Sequence, residues 1–164
     1  MPNRGVHFAL TRQDLDGILA TESDEELLSV LSDGIEERWD EEWLAQTDKA
    51  WDAIHRCLTD GELAYENGSY PLRLCILGGQ QLYSGDDYIV SLKKPEECVA
   101  IAQALARINI DWMREQYFAI PSNDFGREPT EADFQYTWGW FTGLDSFYGR
   151  AARANRHVIF TVDL

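Results

Sequence analysis

Three of the helices that the sequence predicts open on a serine or threonine followed three residues later by an acid, Thr11/Asp14, Ser23/Glu26 and Thr130/Asp133. Each pair lies just ahead of apolar residues at helical spacing. The hydroxyl can accept from the backbone N–H three residues on while the acid reaches back, satisfying donors that a helix start leaves bare. Between the helices so begun lie short runs of β-forming residues. Helices and strands that alternate in one short chain bury their apolar sides by laying helices on a sheet, so the pattern predicts an α/β fold.

Gly5 to Leu10 (GVHFAL) reads as a short buried strand before the Thr11 helix. After Ser23, Leu27, Leu28, Leu31 and Ile35 recur at helical spacing, with Trp39 a turn further. Asp48 is placed to cap a third helix, Lys49 to Leu58, which Thr59-Asp60-Gly61 stops. The apolar run Leu72 to Leu77 (LRLCIL), between Pro71 and Gly78-Gly79, predicts an inner strand covered on both faces. Tyr88 to Leu92 is a further strand candidate. Pro95 suits a first helical position, and Cys98, Ile101, Ala102, Leu105 and Ile108 form an amphipathic stripe behind it. A shorter helix is predicted over Asp111 to Tyr117, and a loop over 119–129. The last helix is predicted from Thr130 to about Ala154, weakened by Gly139, Gly143 and Gly149. Asn155 can end it in the left-handed conformation, and His157 to Val162 closes the chain as a strand.

At 164 residues, 45% of them hydrophobic, one domain over 1–164 is expected, with no need of disulfide or metal to hold it. Cys57, Cys75 and Cys98 form no C-x-x-C pair and match no zinc spacing, so they read as free, buried thiols in a reducing compartment. The start of the chain lacks the apolar run of a secretion signal and no stretch is long enough to span a bilayer, so a cytoplasmic protein is expected. Fourteen basic residues against 29 acidic ones give a net charge of −15. Such a surface repels nucleic acid and anionic membranes and attracts basic proteins.

Asp48-Lys49-Ala50-Trp51-Asp52-Ala53-Ile54-His55, ending in Leu58-Thr59-Asp60-Gly61, resembles a signature of the YfbM-like family of small bacterial proteins. Pro71-Leu72, Ile76-Leu77-Gly78-Gly79, Tyr88 to Leu92, Pro95-Glu96-Glu97, Phe147-Tyr148 and Ala151-Ala152 follow in the family's order. The resemblance covers 48–164, and residues 61–70 depart from it. It implies a three-layer α/β sandwich, with a central mixed sheet of four or more strands flanked by five or six helices. It implies no particular activity and carries over no catalytic residue.

Three groups could carry chemistry. On the third helix, at about 100° per residue, Ala50, Trp51, Ala53, Ile54, Cys57 and Leu58 fill one apolar arc, with His55 just past its edge. His55 flanked by Asp52 has the composition of a general base or a metal ligand, but reads first as a core-edge histidine bonded to Asp52 or to backbone. Asp145 falls between Phe134 and Trp138 in the aromatic arc of a continuous last helix, where burial would raise its pKa; if the helix emerges there, it is simply wet. Whether His7 and His157 converge with His55 is not set by spacing, and no metal or cofactor is predicted.

The third group is the stretch from Glu22 to Glu42, with ten carboxylates and one base, Arg38. It reads either as a solvated helix face or as a docking surface formed by Glu36, Glu37, Trp39, Asp40, Glu41, Glu42 and Trp43. G-x-S-x-G, P-loop and dinucleotide fingerprints are missing, and Gly78-Gly79 reads as a turn. The sequence therefore predicts a non-catalytic, acidic protein-binding module, with an inhibitor or immunity-type protein as its concrete form. The alternative is an enzyme or small-ligand binder using His55/Asp52 or Asp145.

Overall fold

In the computed structural model, which describes residues 3–164, the chain forms five strands: β1 (Gly5–Ala9), β2 (Leu44–Asp48), β3 (Gln80–Gln81), β4 (Tyr88–Lys93) and β5 (Val158–Asp163). They lie in the order β2-β1-β5-β4-β3, and every neighbouring pair is antiparallel. The helices are α1 (Arg12–Leu19), α2 (Asp24–Val30), α3 (Trp51–Leu58), α4 (Pro95–Leu105), α5 (Ile110–Phe118), the short α6 (Ser122–Phe125), α7 (Glu131–Phe141) and α8 (Leu144–Arg153). None of them is long and apolar enough to cross a membrane.

Alternation along the strands divides the core in two. Phe8, Val90, Leu92 and Ile159 face α1, α2 and the turns after them, meeting Leu15, Ile18, Leu27, Leu31 and Ile35. Ala9, Ile89, Val158, Phe160 and Val162 face the layer containing α3, α4, α5, α7 and α8. The result is the expected α/β sandwich, helices on both faces of one sheet.

The sheet is antiparallel rather than mixed, and the expected inner strand at Leu72–Leu77 does not form. Leu72–Leu74 is a single 3-10 turn, and the chain continues in turns through Leu77, buried throughout from Leu74. A buried backbone without a ladder must find other hydrogen-bond partners. Side chains supply them: the Cys75 carbonyl accepts from His7 Nε2 at 2.8 Å and the Tyr148 hydroxyl at 2.6 Å. The Ile76 carbonyl accepts from Ser91 Oγ at 3.0 Å and Lys93 Nζ at 2.6 Å. His7, Ser91 and Lys93 are thereby drawn fully into the core. Gly78 closes the turn, since a Cβ there would run into the Arg73 carbonyl.

Local signals place most helix starts. The reciprocal Thr11/Asp14 bonds form in full, and the Ser23 and Thr130 hydroxyls accept from Glu26 and Asp133 N–H at 3.1 and 3.2 Å. Pro95 opens α4, and Asn155 ends α8 at φ 55°. The three cysteines are free and buried. Asp48, however, caps no helix. It ends the unforeseen strand β2 at φ 48°, where Arg4 Nε pairs with it at 3.0 Å and the Tyr136 hydroxyl donates to it, and α3 begins only at Trp51. The predicted last helix is two helices. Gly143, at φ 97°, holds a left-handed turn that only glycine adopts freely, and it separates α7 from α8.

Candidate functional site

The two catalytic candidates on α3 turn to different partners. His55 is fully buried, and its Nε2 lies 2.9 Å from Asn67 Oδ1. The Asn67 amide in turn donates to Thr59 Oγ1 and the Glu62 carbonyl, at 3.1 and 2.9 Å, so His55 anchors the 59–68 loop. Burial, only partly opposed by the Asn67 contact, lowers the His55 pKa and keeps the ring neutral. Asp52 accepts from Arg56 Nε at 2.6 Å. Arg56 is 5% exposed, and it also reaches Asp124 at 2.6 Å and the Gly61 carbonyl at 3.2 Å. Asp52 belongs to this clamp between α3, the loop and α6, and makes no hydrogen bond to His55.

Asp145 stands exposed in the first turn of α8, its Oδ1 accepting from the Ser146 N–H at 2.8 Å. The break at Gly143 changes the helical register, so the continuous aromatic arc that would have enclosed Asp145 does not exist. His7, His55 and His157 do not converge on a metal site; among the described residues no three His, Cys, Asp or Glu side chains gather to hold an ion.

The acidic segment has a more specific arrangement. After α2 the helix widens to a π-helical turn, Leu31–Glu36, and the chain leaves it through Trp39 at φ 44°. A bulky residue with positive φ is an outlier that surrounding structure must enforce, and π-turns and such outliers gather at functional sites. Both open onto one pocket of about 280 Å³, lined by Glu36, Trp39 and residues of four strands. Val6 and Phe8 come from β1, Gln46 from β2, Tyr88 from β4, and Thr161 and Asp163 from β5, with Arg4 at the rim. Cross-strand register brings them together: Val6 lies opposite both Gln46 and Thr161, and Tyr88 opposite Asp163.

Trp39 is 37% exposed, its ring edge-on to Phe8 at 5.9 Å between centroids. Glu36 is half-buried; burial pushes its pKa up, and the nearby Asp163 carboxylate pushes it further. Arg4 faces the pocket, but its guanidinium is committed to Asp48. Glu37, Asp40, Glu41 and Glu42 are exposed beyond the pocket, with Asp40 capping the short turn Glu41–Trp43. Trp43 is unlike Trp39: it packs against the large core cluster, and Arg156 covers its ring at 3.6 Å.

The chain matches a family described as "Domain of unknown function (DUF1877)" over residues 1–161. It belongs to the DUF1877 family. Among solved structures, it is similar to YfbM from Escherichia coli, a protein of unknown function, with a TM-score of 0.70 and 23% identity over 97% of this chain and 99% of that one. This likeness shows the fold alone. No curated protein matches the chain.

Of the pocket in this DUF1877 chain, the sequence pointed to Glu36 and Trp39 but not to Arg4, Gln46, Tyr88 or Asp163. The last two carried a usable signal. In β4 and β5, Tyr88 and Asp163 occupy outermost strand positions where the burial of their neighbours ends. Without the strand order, nothing sets those two ends side by side.

Proposed function

We propose that this DUF1877 protein is a non-catalytic binding module that docks a basic protein on the face containing Glu36 to Glu42, and that it works as an inhibitor or immunity-type protein. The observation that carries the reading is the Trp39 pocket. An aromatic ring held in an unfavourable backbone conformation stands over an open cavity, beside a half-buried carboxylate and a rim of exposed acids. A partly exposed tryptophan at the centre and acids around it is the arrangement of a hot spot with a steering rim. The net charge of −15 extends that attraction to long range. His55, Asp52 and Asp145 turn to separate partners and form no shared group.

The test begins with tagged protein as bait in a native lysate of the source organism, at low and near-physiological salt. A basic partner held stoichiometrically at the higher salt is the expected result. Its association rate is then measured against the quadruple variant Glu37→Gln, Asp40→Asn, Glu41→Gln, Glu42→Gln. Rim charges act mainly on encounter, so association should slow by about tenfold or more at low salt and lose much of its salt dependence. Identical rates for variant and wild type would overturn the docking face.

A further inference from the structure

The inside of the Trp39 pocket differs in character from its acidic rim. Glu36 and Asp163 place two carboxylates in it, and no hydrogen bond or ion pair to a described residue engages Glu36. The one basic side chain at its edge, Arg4, is already held by Asp48 at 3.0 Å. Trp39, Tyr88 and Phe8 supply aromatic surface. Its volume of about 280 Å³ is several times the ~30 Å³ that a water molecule occupies in the liquid, so a side-chain-sized group fits.

Aromatic surface with carboxylates, in a site whose basic side chain among the described residues is already paired, selects for a cation on an apolar stem. The quadrupole of an aromatic ring attracts the cation, the stem replaces water on apolar walls, and the carboxylate bonds the head. A neutral group of the same shape would bring the half-buried Glu36 carboxylate no counter-charge. An anion would meet two like charges.

We propose that this pocket is the receptor for a single guanidinium or ammonium side chain, an Arg or Lys of the basic partner, bonded by Glu36 and flanked by Trp39. The assignment rests on the docking reading above and names its anchoring contact. Glu36 confers selectivity for charge, and Trp39, fixed in its left-handed conformation, presents a preformed wall, so little order has to be gained on binding.

The test is a titration of the full chain with 1-butylguanidinium, butylammonium and neutral butylurea, followed by NMR at the Trp39 indole N–H, assigned from a Trp39→Phe variant. Both cations should give saturable shifts and butylurea none. Glu36→Gln keeps the shape and removes the charge, and should weaken cation binding by about tenfold or more. Trp39→Gly relaxes the backbone while removing the wall; followed at the Glu36 backbone N–H instead of the lost indole, it should lose binding with little change in thermal midpoint. Equal shifts with butylurea, or cation binding unchanged in Glu36→Gln, would overturn the proposal.

The same Glu36→Gln variant is then tested against the captured partner, where a faster dissociation rate is expected. Partner binding unchanged in Glu36→Gln but lost in the quadruple rim variant would leave the docking face standing and remove the pocket from it. Cation binding without any basic partner would overturn the partner side chain as occupant, and would leave a site for a free small cation.

Discussion

Replacing Lys93 by methionine tests the buried polar core directly. The Lys93 ammonium is fully buried, donates to the Ile76 carbonyl at 2.6 Å and to Ser91 Oγ, and lies 5.7 Å from the Phe160 ring centre. No carboxylate stands within ion-pairing distance of it among the described residues. Burial lowers its pKa from 10.5 to about 7, against smaller raising effects of Cys75, Cys98 and Glu97. In the unfolded chain the same lysine holds its proton up to about pH 10.5, so between pH 7 and 10.5 the unfolded state binds more protons and stability rises with pH. Below about pH 7 the full penalty applies, and at 1.36 kcal/mol per pH unit it amounts to roughly 4–5 kcal/mol.

Methionine removes that penalty. It leaves the Ile76 carbonyl with Ser91 Oγ at 3.0 Å, at a loss of about 1 kcal/mol for the missing donor. Lys93→Met should therefore be more stable than wild type at pH 6 by roughly 2–4 kcal/mol, and the gap should narrow by about 2 kcal/mol at pH 8.5. Urea unfolding of both proteins at the two pH values measures this. The range stays below about pH 9, because burial pushes the thiols of Cys57, Cys75 and Cys98 up to about 12. Unfolded thiols ionise first and would draw stability down above that point in both proteins. A gap independent of pH, or a methionine variant less stable than wild type at pH 6, would refute the reasoning.

Two further perturbations follow from the same core and the neighbouring clamp. Burial, with the Lys93 charge second, lowers the His7 pKa from 6.5 to about 3. The unfolded chain takes up this proton first, so stability falls as pH drops from 6.5 toward 3, and His7→Phe should flatten the melting-temperature profile between pH 6 and 4. Arg56→Met strips the cation from Asp52 and Asp124; both are partly exposed and can rehydrate, which holds the loss to about 2–3 kcal/mol in urea unfolding, with early proteolysis in the 59–68 loop.

Legibility follows the reach of each interaction. Thr11, Ser23, Thr130, Pro95 and Asn155 act on backbone groups within a turn of themselves, and the structure places each as the sequence predicts. Short runs of β-forming residues likewise mark β1, β4 and β5. The errors arise where a segment's state depends on distant partners. Leu72–Leu77 has the composition of an inner strand, yet its carbonyls are met by residues as far away as His7 and Tyr148. Asp48 looks like a cap until Arg4 and Tyr136 take its carboxylate. The aromatic enclosure of Asp145 is lost at a single backbone position, Gly143, which leaves the wet alternative, and His55 does not bond Asp52 because Arg56, on the same helix, takes the aspartate.

The sequence by itself determined the α/β class, most helix starts, the acidic character and the presence of Glu36 and Trp39 in one segment, because each is local or compositional. Only the tertiary structure decided that the sheet is antiparallel, that Lys93 lies in the core, and that Glu36 and Trp39 meet Tyr88 and Asp163 in one pocket. Those outcomes rest on strand order and cross-strand register, which join residues far apart in the chain and leave no periodic trace within any one segment.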